Sequence, residues 1–292
     1  MAIITPLSTV HTGLSSPTAA DILTVMADQF TGSTKHSIDL LATGGASNGF
    51  AVRSNLDDAF QMVFRRTGAQ TIAMSIDAGG TVTDIGNTTT PPSGGSDISP
   101  EKVWTVDAAT VKVLMSELND AFAVFAVNGS DVHLAGGCSG RMYDIEDPGD
   151  AARGRDGLGL HCGVPLNATS NTHIWAGNGS SSARFGLIHA ATGVWPIAEG
   201  SAWHPYQAAR DNTDINGFVR PAKMTIRVGL ASFNLNFGSY ENYRNKYWRV
   251  VGTARADLSV IMTNNETNQG WIHLRNSSSN TGVWPWDRTV VP

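Results

Sequence analysis

The side chains able to support chemistry fall into a few groups, and each group lacks a partner that its chemistry demands. Gly45-Ala46-Ser47-Asn48-Gly49 fits the Gly-x-Ser-x-Gly pattern, which exposes a serine nucleophile where a strand ends in a sharp turn and a helix begins. Here Phe50 and Val52 alternate downstream as in a strand, and no glycine-rich oxyanion loop comes before the serine. A hairpin loop is therefore expected. Asp144, Glu146, Asp147 and Asp150 gather around Pro148-Gly149, and a hard cation such as calcium prefers oxygen ligands collected by a tight turn. The EF-hand spacing and its closing glutamate are absent, and Arg141, Arg153 and Arg155 flank the carboxylates. A solvated or interface loop is the expectation for Asp144–Asp150.

His133, His161, His173, His189, His204 and His273 are scattered without a His-x-x-x-His or His-Glu-x-x-His pair, so nothing supports zinc. Cys138 and Cys162 have no metal-ligand spacing and are too few for a disulfide framework. Gly157-Leu158-Gly159 lacks the third glycine of a dinucleotide-binding turn, since Cys162 stands at that spacing. Asn-x-Ser/Thr sequons such as Asn128-Gly129-Ser130 and Asn178-Gly179-Ser180 read as turn chemistry. These observations predict no catalytic residue, no cofactor and no metal. The aromatic residues are the remaining lead. Trp195, Trp203, Trp271, Trp284 and Trp286 concentrate in the last third beside Asn and Ser, where indoles stack on sugar rings, anchor protein interfaces or fill a core. Core packing is expected for at least half of them.

The elements that would position these residues can be read from periodicity. Residues 1–16 carry Pro6, Gly13 and scattered Ser and Thr without a repeat, which predicts an extended N-terminal arm. A helix follows, capped by Ser16 or Thr18, with Pro17 in its first turn and Ile22, Met26 and Phe30 on one face. From His36 the period becomes two, giving a strand, the Gly-rich loop and a second strand. Residues 59–76 predict a hairpin around Arg66-Thr67-Gly68-Ala69, and 87–100 a turn-rich linker containing Pro91-Pro92 and Gly94-Gly95. Val111, Leu114, Met115 and Leu118, with Asp107 as cap, predict a second helix over 108–118. Another hairpin is expected at 122–134, with a type I′ turn at Asn128-Gly129.

Beyond residue 135 turn residues recur every 8–12 positions between short strands, the pattern of a sandwich or barrel. Two echoes run through the chain. Leu56-Asp57-Asp58-Ala59-Phe60 resembles Leu118-Asn119-Asp120-Ala121-Phe122, and Gly186-Leu187-Ile188-His189 with Thr192–Pro196 returns as Gly270-Trp271-Ile272-His273 with Thr281–Pro285. The second predicts a duplicated β-unit, in which His189 and His273 hold matching, structural positions. The expected fold is mainly β: an arm over 1–16, an α+β domain with two short helices over 17–134, and a sandwich or barrel-like β domain with a duplicated hairpin over 135–292.

The chain has 292 residues, enough for one large domain or two ordinary ones. Only 15% of residues are charged, against roughly 25% in a typical soluble domain. The net charge of −5 argues against nucleic-acid binding, which needs a concentrated basic face. The start, Met1-Ala2-Ile3-Ile4-Thr5-Pro6, has no Sec-type signal, and no run of roughly 18 apolar residues predicts membrane insertion. A soluble chain made in the cytosol is expected.

In these features together, an N-terminal arm, few charges, many Gly, Asn, Ser and Thr residues, short hairpins and Trp-rich turns such as Trp284-Pro285-Trp286, the chain resembles structural proteins of tailed-bacteriophage virions. The resemblance is one of overall style and carries no family-specific motif. It implies a non-enzymatic component of a tail, neck, baseplate or capsid decoration, located in the virion and built as a ring or trimer with other virion proteins. A rival expectation is a receptor- or glycan-binding fibre tip that presents the tryptophans to host glycans during attachment, and a hydrolase centred on Ser47 is the third.

Overall fold

The computed structural model describes residues 5–55, 60–95, 97–128, 134–144, 157–163 and 281–292, together with the strand segments 187–190, 218–219, 224–228, 231–237, 248–249, 260–261 and 269–275. The chain is mainly β, with one helix and two principal antiparallel sheets among these residues. In order the elements are β1 (Leu7–Thr12), α1 (Ala19–Gly32), β2 (His36–Leu41), β3 (Gly49–Ser54), β4 (Gln61–Gly68), β5 (Thr71–Asp77), β6 (Lys102–Thr105), β7 (Thr110–Glu117), β8 (Ala121–Asn128) and β9 (Leu134–Asp144). They continue with β10 (Gly157–Gly163), β11 (Leu187–Ala190), β12 (Phe218–Val219), β13 (Met224–Val228), β14 (Ala231–Phe237), β15 (Trp248–Arg249), β16 (Val260–Ile261), β17 (Gln269–Arg275) and β18 (Thr281–Asp287).

The first sheet runs β2-β3-β4-β5-β6, and the second runs β1-β7-β8-β9-β10-β11, with β14 also pairing with β9 and β13 with β14. They share one core. Phe50, Val52, Met62, Phe64, Ile72, Met74, Ile76 and Trp104 of the first sheet meet Val113, Met115, Phe122, Val124 and Ala126 of the second, with Ile22, Leu23, Met26 and Phe30 of α1 filling in between. Each strand contributes every second residue to this layer, as the pleat requires. Phe30 is the hub: its ring centroid lies 5.3 Å from that of Phe122, 5.8 Å from Phe50 and 6.2 Å from Phe64.

α1 starts from the second of the two caps the sequence offers, so Pro17 precedes the helix instead of opening it. Thr18 is its N-cap and forms a capping box with Asp21, whose side chain accepts the Thr18 backbone N–H at 2.7 Å. These bonds from the Thr18 amide and hydroxyl hold the Asp21 carboxyl below the usual aspartate value. The hairpins at 36–54 and 59–76 form as β2/β3 and β4/β5.

Three expectations need correction. The helix predicted over 108–118 is strand β7. Its apolar residues suit both periods, but Val111 is exposed while Val113 and Met115 are buried in the shared core. Pairing on both sides, with β1 and β8, decides in favour of the strand. Asp107 caps a tight turn instead, its carboxylate accepting the Ala109 N–H and its carbonyl the Thr110 N–H. The hairpin at 122–134 forms, but Val127 pairs with Leu134, too far along for a two-residue turn at Asn128-Gly129. Asn128 is spent elsewhere, bonding Asp107 and Thr110 through its side chain. Finally, the turn-rich stretch 87–100 does not link two units: it folds back on the first sheet, with bridges Asp84–Ser93 and Asp77–Ile98.

Of the expected arm, residues 7–12 form β1 and pair antiparallel with β7 of the same chain, and residues 1–4 lie outside the described residues. The second sheet crosses residue 134 without interruption through β8, β9 and β10. Of the duplicated unit, the later copy is the hairpin β17/β18, with Gln269 opposite Asp287 and Arg275 opposite Thr281. In the earlier copy Leu187–Ala190 pairs with β10, and 192–196 lie outside the described residues. No helix among the described residues is long and apolar enough to cross a membrane.

Candidate functional site

Three polar constellations stand out among the described residues. The first is buried where the end of α1, the start of β2 and the end of β7 converge. Glu117 and His36 are both fully buried. The Glu117 carboxylate accepts from the Gln29 amide at 2.7 Å and the Ser33 hydroxyl at 2.6 Å, and lies 2.7 Å from His36 Nδ1. Gln29 in turn accepts the Thr9 hydroxyl at 2.6 Å, so the network reaches β1. Lys35 stands at the edge, donating to Asn119 at 2.9 Å; burial pushes its ammonium below the usual lysine value, opposed by Glu117 and Asp120. These hydrogen bonds fasten β1, α1, β2 and β7 together.

The second constellation holds the 78–100 segment on the outer face of the first sheet. Buried Asp77 accepts backbone N–H groups of Gly79, Thr81 and Asp97, at 3.1, 2.6 and 3.2 Å. Gln61 accepts that of Val82 at 2.9 Å. Arg65 makes a two-pronged pair with Glu101 and also donates to the Asn87 carbonyl.

The third is a cleft of about 460 Å³ at one end of that sheet, lined by Thr43, Asn48, Arg66, Asp84, Gly86, Asn87 and Thr88. Its size falls within the small-molecule range of roughly 300–1,000 Å³, yet its polar groups are largely engaged with one another. Arg66 donates to Asn48 Oδ1 at 2.7 Å, Asp84 accepts the Gly86 N–H at 3.0 Å, and Asn87 accepts from Thr89 and Thr90. No aromatic ring lines it.

Ser47 sits in the β2/β3 loop, followed by a strand rather than a helix, so the nucleophile-elbow geometry is not formed. Trp286, one of the candidate glycan or interface contacts, is fully buried, and its indole N–H donates to the Val290 carbonyl at 2.8 Å. Trp271 and Trp284 occupy β17 and β18, opposite Pro285 and Ile272 in register. Trp195, Trp203 and most of the acidic turn at 144–150 lie outside the described residues. Among the described residues no three His, Cys, Asp or Glu side chains gather as metal ligands would.

Sequence reasoning missed the His36–Glu117 pair. Eighty-one positions separate the two, and only the interruption of apolar alternation at Glu117 hints that a polar residue faces inward. A comparison of the chain with protein-family models, curated proteins and solved structures finds no match.

Proposed function

We propose that the chain is a non-enzymatic assembly subunit, a structural component of a viral particle that works by packing against copies of itself and companion proteins. The observation that carries this reading is the sparse charge, 15% of residues, which lowers the desolvation penalty of burying surface between subunits. The polar clusters support it. The two described constellations with buried carboxylates spend them on holding segments in place. Open sheet edges supply the means of association: β2 and β6 each pair on one side only among the described strands. Identical subunits joined through such edges close into rings or trimers when the rotation between them closes.

The test is the mass of the purified protein in solution by light scattering, followed by electron microscopy of the particles. A uniform oligomer of ring or trimer symmetry is the expected result. A monomer at every accessible concentration, or a monomer that turns over a small molecule, overturns the reading.

A further inference from the structure

We propose that β1 is an exchangeable strand: in the assembly, residues 7–12 of one copy pair with β7 of a second copy of this chain. The inference rests on the assembly reading above and specifies the contact that builds it. The occupant of the β7 edge is already visible, because β1 fills that edge in an unbroken register from Leu7 opposite Glu117 to Thr12 opposite Lys112. β1 is also the outermost strand of its sheet, so it can leave without opening the ladder beyond it.

Its side-chain fastenings are few and transferable. The Thr9 hydroxyl donates to Gln29 at 2.6 Å, the Ser8 hydroxyl lies 3.4 Å from that of Ser116, and Ser8 accepts the Asp287 N–H at 2.9 Å. Every one of these partners exists in identical form on a second copy, so exchange conserves the contacts.

The pivot is the segment between β1 and α1. Gly13 has φ +79° and Ser16 φ +48°, and both are exposed. The left-handed region is unfavourable for serine, whose Cβ crowds the following carbonyl. Immediately beyond it the chain is fixed: Pro17 is buried, Thr18 caps α1, and the Ala19 N–H donates to the Ala69 carbonyl at 2.9 Å. A strained turn between two well-held parts is what strand exchange relieves, since straightening residues 13–16 removes both positive φ angles. At about 3.4 Å per residue the five steps from Thr12 to Pro17 reach about 17 Å, which bounds how far the neighbour's β7 can lie from Pro17.

Two copies are co-expressed, one carrying Thr12→Cys and the other Lys112→Cys, and the assembled fraction is treated with a short bis-maleimide. The parent chain, with Cys138 and Cys162, is the control. Exchange predicts a covalent heterodimer linked between positions 12 and 112, identified by peptide mass spectrometry. The hinge variants carry opposite signs. Ser16→Gly eases the closed turn and lowers the yield about fivefold. Gly13→Ala, where an added Cβ meets nothing within 4 Å, strains the closed turn by backbone alone and raises it. With both cysteines on one chain, an exclusively intrachain link in an oligomer overturns the exchange and leaves the assembly reading standing. The same link in a monomer removes both. A heterodimer yield indifferent to both hinge variants overturns the pivot.

Discussion

The two faces of the first sheet are covered in contrasting ways. Its inner face is aromatic: the rings of Phe50 and Phe64 meet tilted at 4.9 Å, Phe64 meets Phe122 edge-on at 5.2 Å, and Phe30 of α1 closes the cluster. Its outer face carries small side chains, Ala51 and Val63, beneath Val82 and Ile85 of an irregular segment. The inner cover is held by apolar burial, which is non-directional and shared among many residues. The outer cover is held at points, where Asp77, Gln61 and Arg65 offer charged or polar groups to loop backbone. One face should therefore fail globally and the other locally.

The largest effect expected is from Phe64→Ala, which empties the centre of the aromatic cluster and should cost about 3–5 kcal/mol in denaturant unfolding. A cost below 1 kcal/mol would erase the distinction between the faces. Glu117→Ala comes next. It strips Gln29, Ser33 and His36 of their common acceptor inside the fold, and the orphaned buried groups should lower stability by about 3 kcal/mol. Asp77→Ala sharpens the contrast. It leaves three backbone N–H groups of the outer segment without their acceptor, at about 2 kcal/mol, and amide exchange should rise over 78–98 while β7 and β8 stay protected. Equal loss of protection on both faces would merge them into one cooperative unit.

The smallest effect is at the helix start. Thr18→Ala should cost about 1 kcal/mol and also weaken a pH dependence, since the hydroxyl is lost and the backbone amide stays. The Asp21 carboxyl is held below its unfolded value by the Thr18 amide and hydroxyl. Its contribution is complete above the unfolded aspartate value of about 3.9 and fades as pH falls through the lowered folded value. Titrating melting temperature from pH 6 to pH 2 should show a shallower acid limb in the variant, and an unchanged limb would place the acid sensitivity elsewhere.

Local signals made much of the fold legible. The capping residues and the four-residue spacing of Ile22, Met26 and Phe30 mark α1, and large apolar residues two apart, Met62 and Phe64, then Ile72, Met74 and Ile76, mark β4 and β5. The segment at 108–118 was not decidable by pattern, because four apolar residues at helical spacing also populate both faces of a strand buried between neighbours. Its β-branched Thr110, Val111 and Val113 favoured the strand. The Glu117 network left one local trace, the break in apolar alternation at Glu117, and its partners left none, since Gln29, His36 and Glu117 come from three elements joined only by folding. The fate of 87–100 was hidden for a related reason. Pro and Gly forbid regular structure there, but whether such a segment spans or lies down depends on the anchors beneath it, and Asp77 and Arg65 are read from sequence only as charges within strands.

The bond between the Asp287 amide and Ser8 joins residues 279 positions apart. During synthesis the first strand therefore emerges long before one of its fastenings has been made, while β7 is available after little more than a hundred residues. On a polysome, neighbouring nascent chains stand side by side during that interval, and a slow, long-range closure leaves time for partners to compete. The order in which ribosomes deliver these segments would then influence whether a chain is completed by itself or by its sibling.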